Sequence, residues 1–214
     1  MSSPSAGKAY CDGPLKRSVD IVGAFVGLLL LLPLFLLVAT LVAAGSGWPV
    51  LFVQERVGRH GRRFRLVKFR TMQRHSETGL PITGSGDPRV TTIGRLLRAT
   101  KLDELPQLVN VIRGEMSLVG PRPEVPQYVR IYSADQRRVL DTRPGLTDPA
   151  TVFFRDEESL LGNLEDVNKD RYYRDEILPR KLAMNLEYLD RASLGYDLAL
   201  LLRTLWAILA PFPR

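Results

Sequence analysis

The feature that most constrains this chain is an apolar run over residues 19–44, which is long enough to cross a lipid bilayer. It reads VDIVGAFVGLLLLLPLFLLVATLVAA, and no Asp, Glu, Lys or Arg occurs between Asp20 and Glu55. A membrane-spanning helix needs about 20 apolar residues. The run is longer than the apolar part of a signal peptide. The sequence therefore predicts that this run holds the chain in a membrane.

Pro33 lies near the middle of the run and predicts a break in the helix. Proline removes a backbone donor and clashes with the preceding turn, at a cost of about 3 kcal/mol in a straight helix. Lys16 and Arg17 precede the run, and a dense basic block begins at Arg56 after it. Positive charge usually marks the cytoplasmic side. These residues alone leave two interpretations open: a re-entrant helix with both ends in the cytoplasm, and a kinked span with its N-terminal tail outside.

The charge of the chain predicts an anionic partner. The net charge is +7, with 30 Lys and Arg against 23 Asp and Glu. Between residues 56 and 101, Lys and Arg recur throughout, whereas Glu77 and Asp87 are the only acidic residues. Such a block is typical of proteins that bind nucleic acid, acidic lipid headgroups or a phosphorylated substrate. The single cysteine, Cys11, excludes an internal disulfide, and the sequence has no Cys/His cluster with the spacing of a zinc site.

The remaining sequence predicts a mostly helical domain with a small β-hairpin. The hairpin comprises a short strand after Trp48, a turn at residues 56–61 and a second strand at residues 64–72. The Gly- and Pro-rich residues 79–88 predict a loop. The last predicted helix is apolar enough to lie along a membrane interface. Helices are predicted over residues 91–99, 105–113, 136–142, 171–191 and 194–210.

Asp103 and Glu104 are the first candidates for chemistry. They immediately precede Leu105-Pro106-Gln107, which is typical of a helix start because proline is favoured in the first turn. Free backbone amides and the helix dipole favour negative charge at this position. Two upstream cations, Arg98 and Lys101, add to the positive potential, so both carboxylates are expected to stay ionised. Simple helix capping is the alternative interpretation of this acidic pair.

An ionised carboxylate pair among cations suits phosphoryl transfer. One carboxylate can attack phosphorus while the other holds Mg²⁺. The phosphates need several cations, preferably arginines with their fork of donors. Arg98 and Arg122 are the candidates, and Arg122 is held between Pro121 and Pro123. Bonding to a helix C-terminus is an alternative role for Arg122.

Seven short motifs, in order along nearly the whole chain, resemble the bacterial sugar transferases. These are the monotopic phosphoglycosyl transferases that begin lipid-linked glycan assembly. The chain departs from the family pattern at Leu32-Pro33, where Ser-Pro is frequent, and at Asp148-Pro149, where many members have Gly and an aromatic residue. The motifs are KRSVD (16–20), QERVG (54–58), KFRTM (68–72), LDELPQ (102–107), GEMSLVGPRP (114–123), RPGLT (143–147) and ILP (177–179).

The resemblance implies a two-step reaction. Asp103 would attack the β-phosphate of a UDP-sugar, forming an aspartyl phospho-sugar and releasing UMP. A polyprenyl phosphate, usually undecaprenyl phosphate in bacteria, would then accept the phospho-sugar as the first membrane step of glycan or polysaccharide biosynthesis. Glu104 matches the residue associated with Mg²⁺. The positions implied to lie near the substrate phosphates are Lys68, Arg98 and Arg122.

The resemblance also implies the fold and the location. It implies a monotopic membrane protein of the small single-domain form, mostly α with a small β-hairpin, and with interfacial amphipathic helices. A re-entrant helix broken at Pro33 would leave both ends in the cytoplasm, so that the catalytic domain works on the cytoplasmic face of the bacterial inner membrane. Four parts are expected: an N-terminal tail (1–15), the re-entrant helix (16–46), the cytoplasmic catalytic domain (47–193) and a C-terminal interfacial helix (194–214).

Two other functions would also use a basic membrane protein. A non-catalytic adaptor could bind anionic lipid at about 1 kcal/mol per cation, but it gives no reason for the Asp103-Glu104 pair. A membrane-tethered nucleic-acid binder predicts aromatic side chains among the cations, yet only Phe64 and Phe69 occur between residues 56 and 101. The membrane lipid, the UDP-sugar and the polyprenyl phosphate are therefore the expected partners, and nucleic acid is not.

Overall fold

Helices dominate the computed structural model, which describes residues 6–74, 82–162 and 164–209. The predicted loop (79–88), the predicted tail (1–15) and the C-terminal segment (194–214) each lie partly outside the described residues. Short 3₁₀ turns cover Arg59–Gly61, Leu102–Glu104 and Gln136–Asp141, and the π-helical segment Tyr173–Ile177 joins α9 to α10. The α-helices in the described ranges are α1 (Ala6–Asp12), α2 (Pro14–Leu30), α3 (Leu32–Ser46), α4 (Thr92–Ala99), α5 (Gln107–Arg113), α6 (Pro126–Val129), α7 (Pro149–Phe153), α8 (Glu157–Gly162), α9 (Asp166–Tyr172), α10 (Leu178–Arg191) and α11 (Leu194–Leu209).

Two small sheets complete the fold. Strands β1 (Leu51–Val57) and β2 (Arg63–Phe69) form the antiparallel hairpin, which confirms that prediction except that β2 ends three residues before residue 72. Strands β3 (Ser117–Val119) and β4 (Gly145–Thr147) pair in parallel. The β3–β4 pair was not predicted, because a strand of three residues is too short for an alternating pattern to show.

The apolar run forms two helices, α2 and α3, which are bent by 64° relative to each other. The bend lies at Leu31, whose backbone N–H donates to the Gly27 carbonyl and ends α2. Pro33 falls in the first turn of α3, where its missing N–H breaks no helical bond. The predicted break is therefore confirmed. No single helix in the described ranges is long and apolar enough to cross a membrane, whereas this bent pair passes that test on length and composition.

Residues 6–12, which the sequence predicts to be tail, instead form α1 and pack against α10. Gly7 approaches α10 so closely that an added Cβ would lie 2.3 Å from the Leu189 carbonyl oxygen. The Lys8 ammonium is 2.5 Å from Asp141. Because these partners are far away in sequence, the local sequence pattern carries no signal of this docking.

Lys16 and Asp20, the first and last residues of the KRSVD motif, form a buried ionic network with α11. The Lys16 ammonium is 3.1 Å from Asp20 and 2.7 Å from Asp197. Asp197 also accepts a hydrogen bond from Tyr188 at 2.8 Å, and Asp20 accepts one from Ser117 at 2.9 Å. The network thus ties the start of α2 to α10, α11 and β3.

The bent pair also supports the turn that carries the two candidate carboxylates. Val38 and Val42 of α3 are buried against Phe69 of β2 and Leu97 of α4. Leu105, just after the acidic pair, packs against the same cluster. Hydrophobic contacts with α3 therefore stabilise the position of the turn that carries Asp103 and Glu104.

Candidate active site

Asp103 and Glu104 lie in the 3₁₀ turn Leu102–Glu104, between α4 and α5. The sequence predicts that they stand at the N-terminus of the helix at 105–113, but α5 begins only at Gln107. Lys101, at the start of the turn, has left-handed backbone angles (φ 57°, ψ 14°), which cost a non-glycine residue about 1–2 kcal/mol. This residue ends α4 and starts the tight turn. The acidic pair therefore precedes the helix by one turn.

Glu104 is held as a carboxylate by two cations. The guanidinium of Arg122 donates two hydrogen bonds to it, at 3.2 Å and 2.5 Å, and the Lys68 ammonium is 3.6 Å away. Burial alone would raise the pKa of Glu104, but Arg122 and Lys68 outweigh it and hold the pKa well below the usual range. The expectation that Glu104 stays ionised agrees with this geometry.

Asp103 has the opposite electrostatic environment, although it is the adjacent residue. Burial raises its pKa from 3.8 to about 6, even though Lys68 opposes the shift. Among the described residues, no group donates a hydrogen bond to its buried Oδ1. The nearby cations do not keep the pKa of Asp103 low as they do for Glu104, because the loss of solvent outweighs them. A poorly solvated carboxylate with a pKa near 6 is still mainly ionised at neutral pH, and an ionised carboxylate can act as a nucleophile.

Arg122 is positioned by Asp148, a residue that the sequence left without a role. Asp148 is fully buried and accepts hydrogen bonds from the Arg122 backbone N–H at 3.2 Å and from Asn185 at 2.7 Å. It also caps α7 by accepting from the Thr151 N–H at 2.5 Å. The order Asp148-Pro149 is a typical start of a helix. Asp148, which departs from the family pattern, therefore helps to hold the backbone at Arg122 in place.

Arg98 lies to one side of this centre. It donates hydrogen bonds to Thr71 at 2.9 Å and Thr83 at 2.6 Å, and its guanidinium is 3.3 Å from Glu158. In the part of the chain that the structure describes, Arg98 forms no hydrogen bond or ion pair with either of the central carboxylates. Lys68 and Arg122 thus contact Glu104 directly, whereas Arg98 lies in the wall of the cavity and adds positive charge there.

All five predicted site residues line one cavity of about 500 Å³. Small-molecule sites typically have volumes of about 300–1,000 Å³, so the cavity can hold a nucleotide-sized ligand. Arg56 and Lys181 are among the further cations of the wall that were not predicted as site residues. Arg56 donates to Gln54 at 2.8 Å and lies 3.5 Å from Glu124. Its place in the basic block was visible in the sequence, but its burial in this wall was not.

The cavity combines a buried carboxylate pair with several cations, which are the groups expected of an enzyme that transfers phosphorylated groups. The chain belongs to the bacterial sugar transferase family, whose model matches residues 11–211. It is therefore an enzyme of the sugar transferase class.

Individual relatives agree with this assignment. The chain is 39% identical over 198 residues to a UDP-glucose:undecaprenyl-phosphate glucose-1-phosphate transferase from Caulobacter vibrioides, covering 91% of this chain and 69% of the relative. It is 35% identical over 212 residues to the exopolysaccharide production protein ExoY of Rhizobium meliloti, covering 92% and 86%. It is 35% identical over 204 residues to a UDP-N-acetylgalactosamine-undecaprenyl-phosphate N-acetylgalactosaminephosphotransferase from Aeromonas hydrophila, covering 92% and 44%.

Proposed function

We propose that this enzyme moves a phospho-sugar from a UDP-sugar to undecaprenyl phosphate through an aspartyl intermediate. The observation that carries the proposal is that Asp103, whose buried Oδ1 has no hydrogen-bond partner among the described residues, lines a cavity with several cations. The names of relatives support the substrate classes, since two of them specify a UDP-sugar donor and an undecaprenyl-phosphate acceptor. The reaction would be the first membrane step in building a glycan or polysaccharide.

The first step forms a bond between a carboxylate oxygen of Asp103 and the β-phosphorus of the donor. The bond from that phosphorus to the oxygen bridging it to the α-phosphate breaks, and UMP leaves with the bridging oxygen. In the second step, an oxygen of the acceptor phosphate attacks the same phosphorus. The bond to Asp103 then breaks, which regenerates the carboxylate and yields an undecaprenyl-diphospho-sugar.

The cations stabilise the charge on the reacting phosphates. Arg122 presents a fork of donors that suits phosphate oxygens, and Lys68 supplies a compact charge. Burial lowers the pKa of Lys68, although Glu104 opposes the shift. Arg98, in the wall of the cavity, would bind a more distant phosphate of the donor.

The donor groups of the site fit Mg²⁺ when substrate phosphate is included. Mg²⁺ is commonly held by one or two carboxylates together with phosphate oxygens and water. The lowered pKa of Glu104 favours its carboxylate form, and among the described residues Asp103 Oδ1 has no hydrogen-bond partner and no cluster of three metal-binding side chains occurs. Glu104 would hold the ion, which would neutralise charge on the transferred group.

We propose further that α2 and α3 enter the cytoplasmic leaflet of the inner membrane and return. Many of their large apolar side chains are exposed, including Leu30 and Leu36, and such contiguous apolar surface is unusual on a protein in water. α1, which precedes the pair, packs on α10, which follows it, so both ends of the pair lie on one side. This topology places the cavity near the headgroups, where a soluble nucleotide-sugar and a lipid phosphate can both reach Asp103.

Replacement of the nucleophile tests the proposal. Asp103→Asn is expected to reduce release of UMP from a panel of UDP-glucose, UDP-galactose and UDP-N-acetylgalactosamine to background, because an amide cannot form the intermediate. Asp135→Asn, at an exposed carboxylate outside the cavity, is the matched control and should keep wild-type activity. Turnover by purified Asp103→Asn enzyme would contradict the nucleophile assignment.

A further inference from the structure

A second, smaller cavity of about 250 Å³ lies beside the first and shares part of its wall. Each cavity is partly open, and the shared residues come from α4, from the turn before Asp103 and from the α7–α8 region. A ligand in the second cavity would therefore adjoin whatever occupies the first. The residues that line both cavities are Arg98, Lys101, Thr151, Arg155 and Glu158.

The second cavity has an apolar wall. Val152 of α7 and Ala207 and Ile208 of α11 line it, and they do not line the first cavity. The helices that form this wall also carry large apolar side chains at the surface: Phe153 on α7 is 70% exposed and Trp206 on α11 is 74% exposed. The cavity is thus continuous with helices suited to contact lipid.

The charged groups of the second cavity favour an anion at its junction with the first. Its acidic residues Asp87 and Glu158 are already paired, with Arg89 at 2.7 Å and with Arg98 at 3.3 Å. Asp156 is exposed. Two cations of the lining, Arg95 and Lys101, form no ion pair with any described residue.

Lys101 occupies the junction itself. It lines both cavities, it carries the left-handed backbone of the turn, and it stands two residues before Asp103. Its charge acts on both carboxylates of the site. A phosphate bound by Lys101 from the second cavity would thus adjoin the phospho-sugar carried by Asp103.

We propose that the second cavity is the subsite for the acceptor lipid. The isoprene units nearest the phosphate pack against Val152, Ala207 and Ile208, and the rest of the chain runs out over the exposed apolar side chains of α7 and α11. Lys101 binds the acceptor phosphate and aims one of its oxygens at the phosphorus on Asp103. This inference rests on the proposed function, and it assigns separate places to the donor and the acceptor.

Two variants test the subsite by different routes. Lys101→Gly removes the charge while glycine accepts the left-handed backbone, and Ala207→Trp fills the apolar wall. Arg113→Gln removes one exposed cation outside both cavities and serves as the control. For each variant, the KM for undecaprenyl phosphate in detergent micelles and the KM for the UDP-sugar are compared with the wild type. First-turnover UMP release without acceptor reports the donor step separately.

The KM for undecaprenyl phosphate should rise at least tenfold in Lys101→Gly and in Ala207→Trp. In Ala207→Trp the KM for the UDP-sugar should rise less than threefold, because Ala207 lines only the second cavity, and Arg113→Gln should match the wild type in both KM values. The subsite would be overturned if the KM for undecaprenyl phosphate were unchanged in both variants. It would also be overturned if the donor step and the acceptor step lost activity equally. Inhibition by phosphatidylglycerol that disappears in Lys101→Gly would assign the cavity to a phospholipid instead. If the wild type releases no UMP from any donor in the panel, the proposed function itself fails and the subsite falls with it.

Discussion

Two adjacent carboxylates in this enzyme have pKa values shifted in opposite directions. Glu104 receives both N–H groups of the Arg122 fork, whereas Asp103 is buried without a donor to its Oδ1 among the described residues. Enzymes often give two neighbouring acids different tasks by surroundings that shift their pKa values in opposite directions. Here the ionised, paired residue suits a metal ion, and the desolvated residue suits attack on phosphorus.

The raised pKa of Asp103 predicts a pH-dependent cost to stability. Its folded pKa of about 6 exceeds the ordinary value of 3.8, so the folded state binds this proton more tightly than the unfolded state. The group therefore lowers the free energy of unfolding as pH rises from about 4 to above 6. Asp103→Asn removes that effect, and we expect the metal-free variant to gain about 2 kcal/mol over the wild type between pH 4 and pH 7.5.

Thermal unfolding in detergent with a chelator measures this difference at several pH values. The gain of Asp103→Asn relative to wild type should grow through the range from pH 4 to pH 6 and then level off. Asp135→Asn should show no such trend. A difference that is constant with pH would mean that Asp103 is not desolvated in the folded enzyme.

At the scale of the elements, α1 decides how the bent pair α2–α3 can sit in a membrane. A kinked span would place α1 on the opposite side from α10, but Gly7 lies against Leu189 and Lys8 binds Asp141. These contacts therefore support the proposed re-entrant topology. We therefore predict that a cysteine on α1 is inaccessible from outside the cell.

Ala9→Cys, in a Cys11→Ser background, places a single thiol at an exposed position of α1. A membrane-impermeant maleimide should label it only after the inner membrane of spheroplasts is permeabilised. Asp135→Cys, in the same background, reports the side of the catalytic domain and should show the same pattern. Labelling of Ala9→Cys in intact spheroplasts, with Asp135→Cys protected, would establish a span.

The elements also show what the sequence could predict. The hairpin, α4 and the break at Pro33 depend on local patterns, and all three are confirmed. The docking of α1 and the pairing of β3 with β4 depend on contacts between segments far apart in sequence. The same limit applies at the site: the LDELPQ motif located Asp103 and Glu104, but the anchoring of Arg122 by Asp148 required the fold.

At the scale of the whole molecule, the buried network around Lys16 joins the two ends of the chain. Lys16 is the cation between Asp20 and Asp197, and all three side chains are almost fully buried. Loss of one partner leaves buried charge without compensation, which typically costs 3–5 kcal/mol. We expect Lys16→Met to lower the free energy of unfolding by about that amount.

Chemical or thermal unfolding in detergent micelles measures this loss. Arg191→Met removes a cation from an exposed pair with Glu187 and should leave stability almost unchanged, because exposed pairs contribute little. Equal stability of Lys16→Met and the wild type would show that the network is not buried in the folded enzyme.

The docking of α1 on α10 has a consequence for biosynthesis. The ribosome produces residues 6–12 early and residues 178–191 late, so α1 has no surface to bind while most of the chain is being translated. In the proposed topology, the apolar helices would emerge in that interval and meet the membrane before α1 can contact α10. Long-range closure of this kind is slow compared with local folding. If the proposed re-entrant topology holds, it would be completed by a late event, the arrival of α10, rather than by the insertion of the apolar helices themselves.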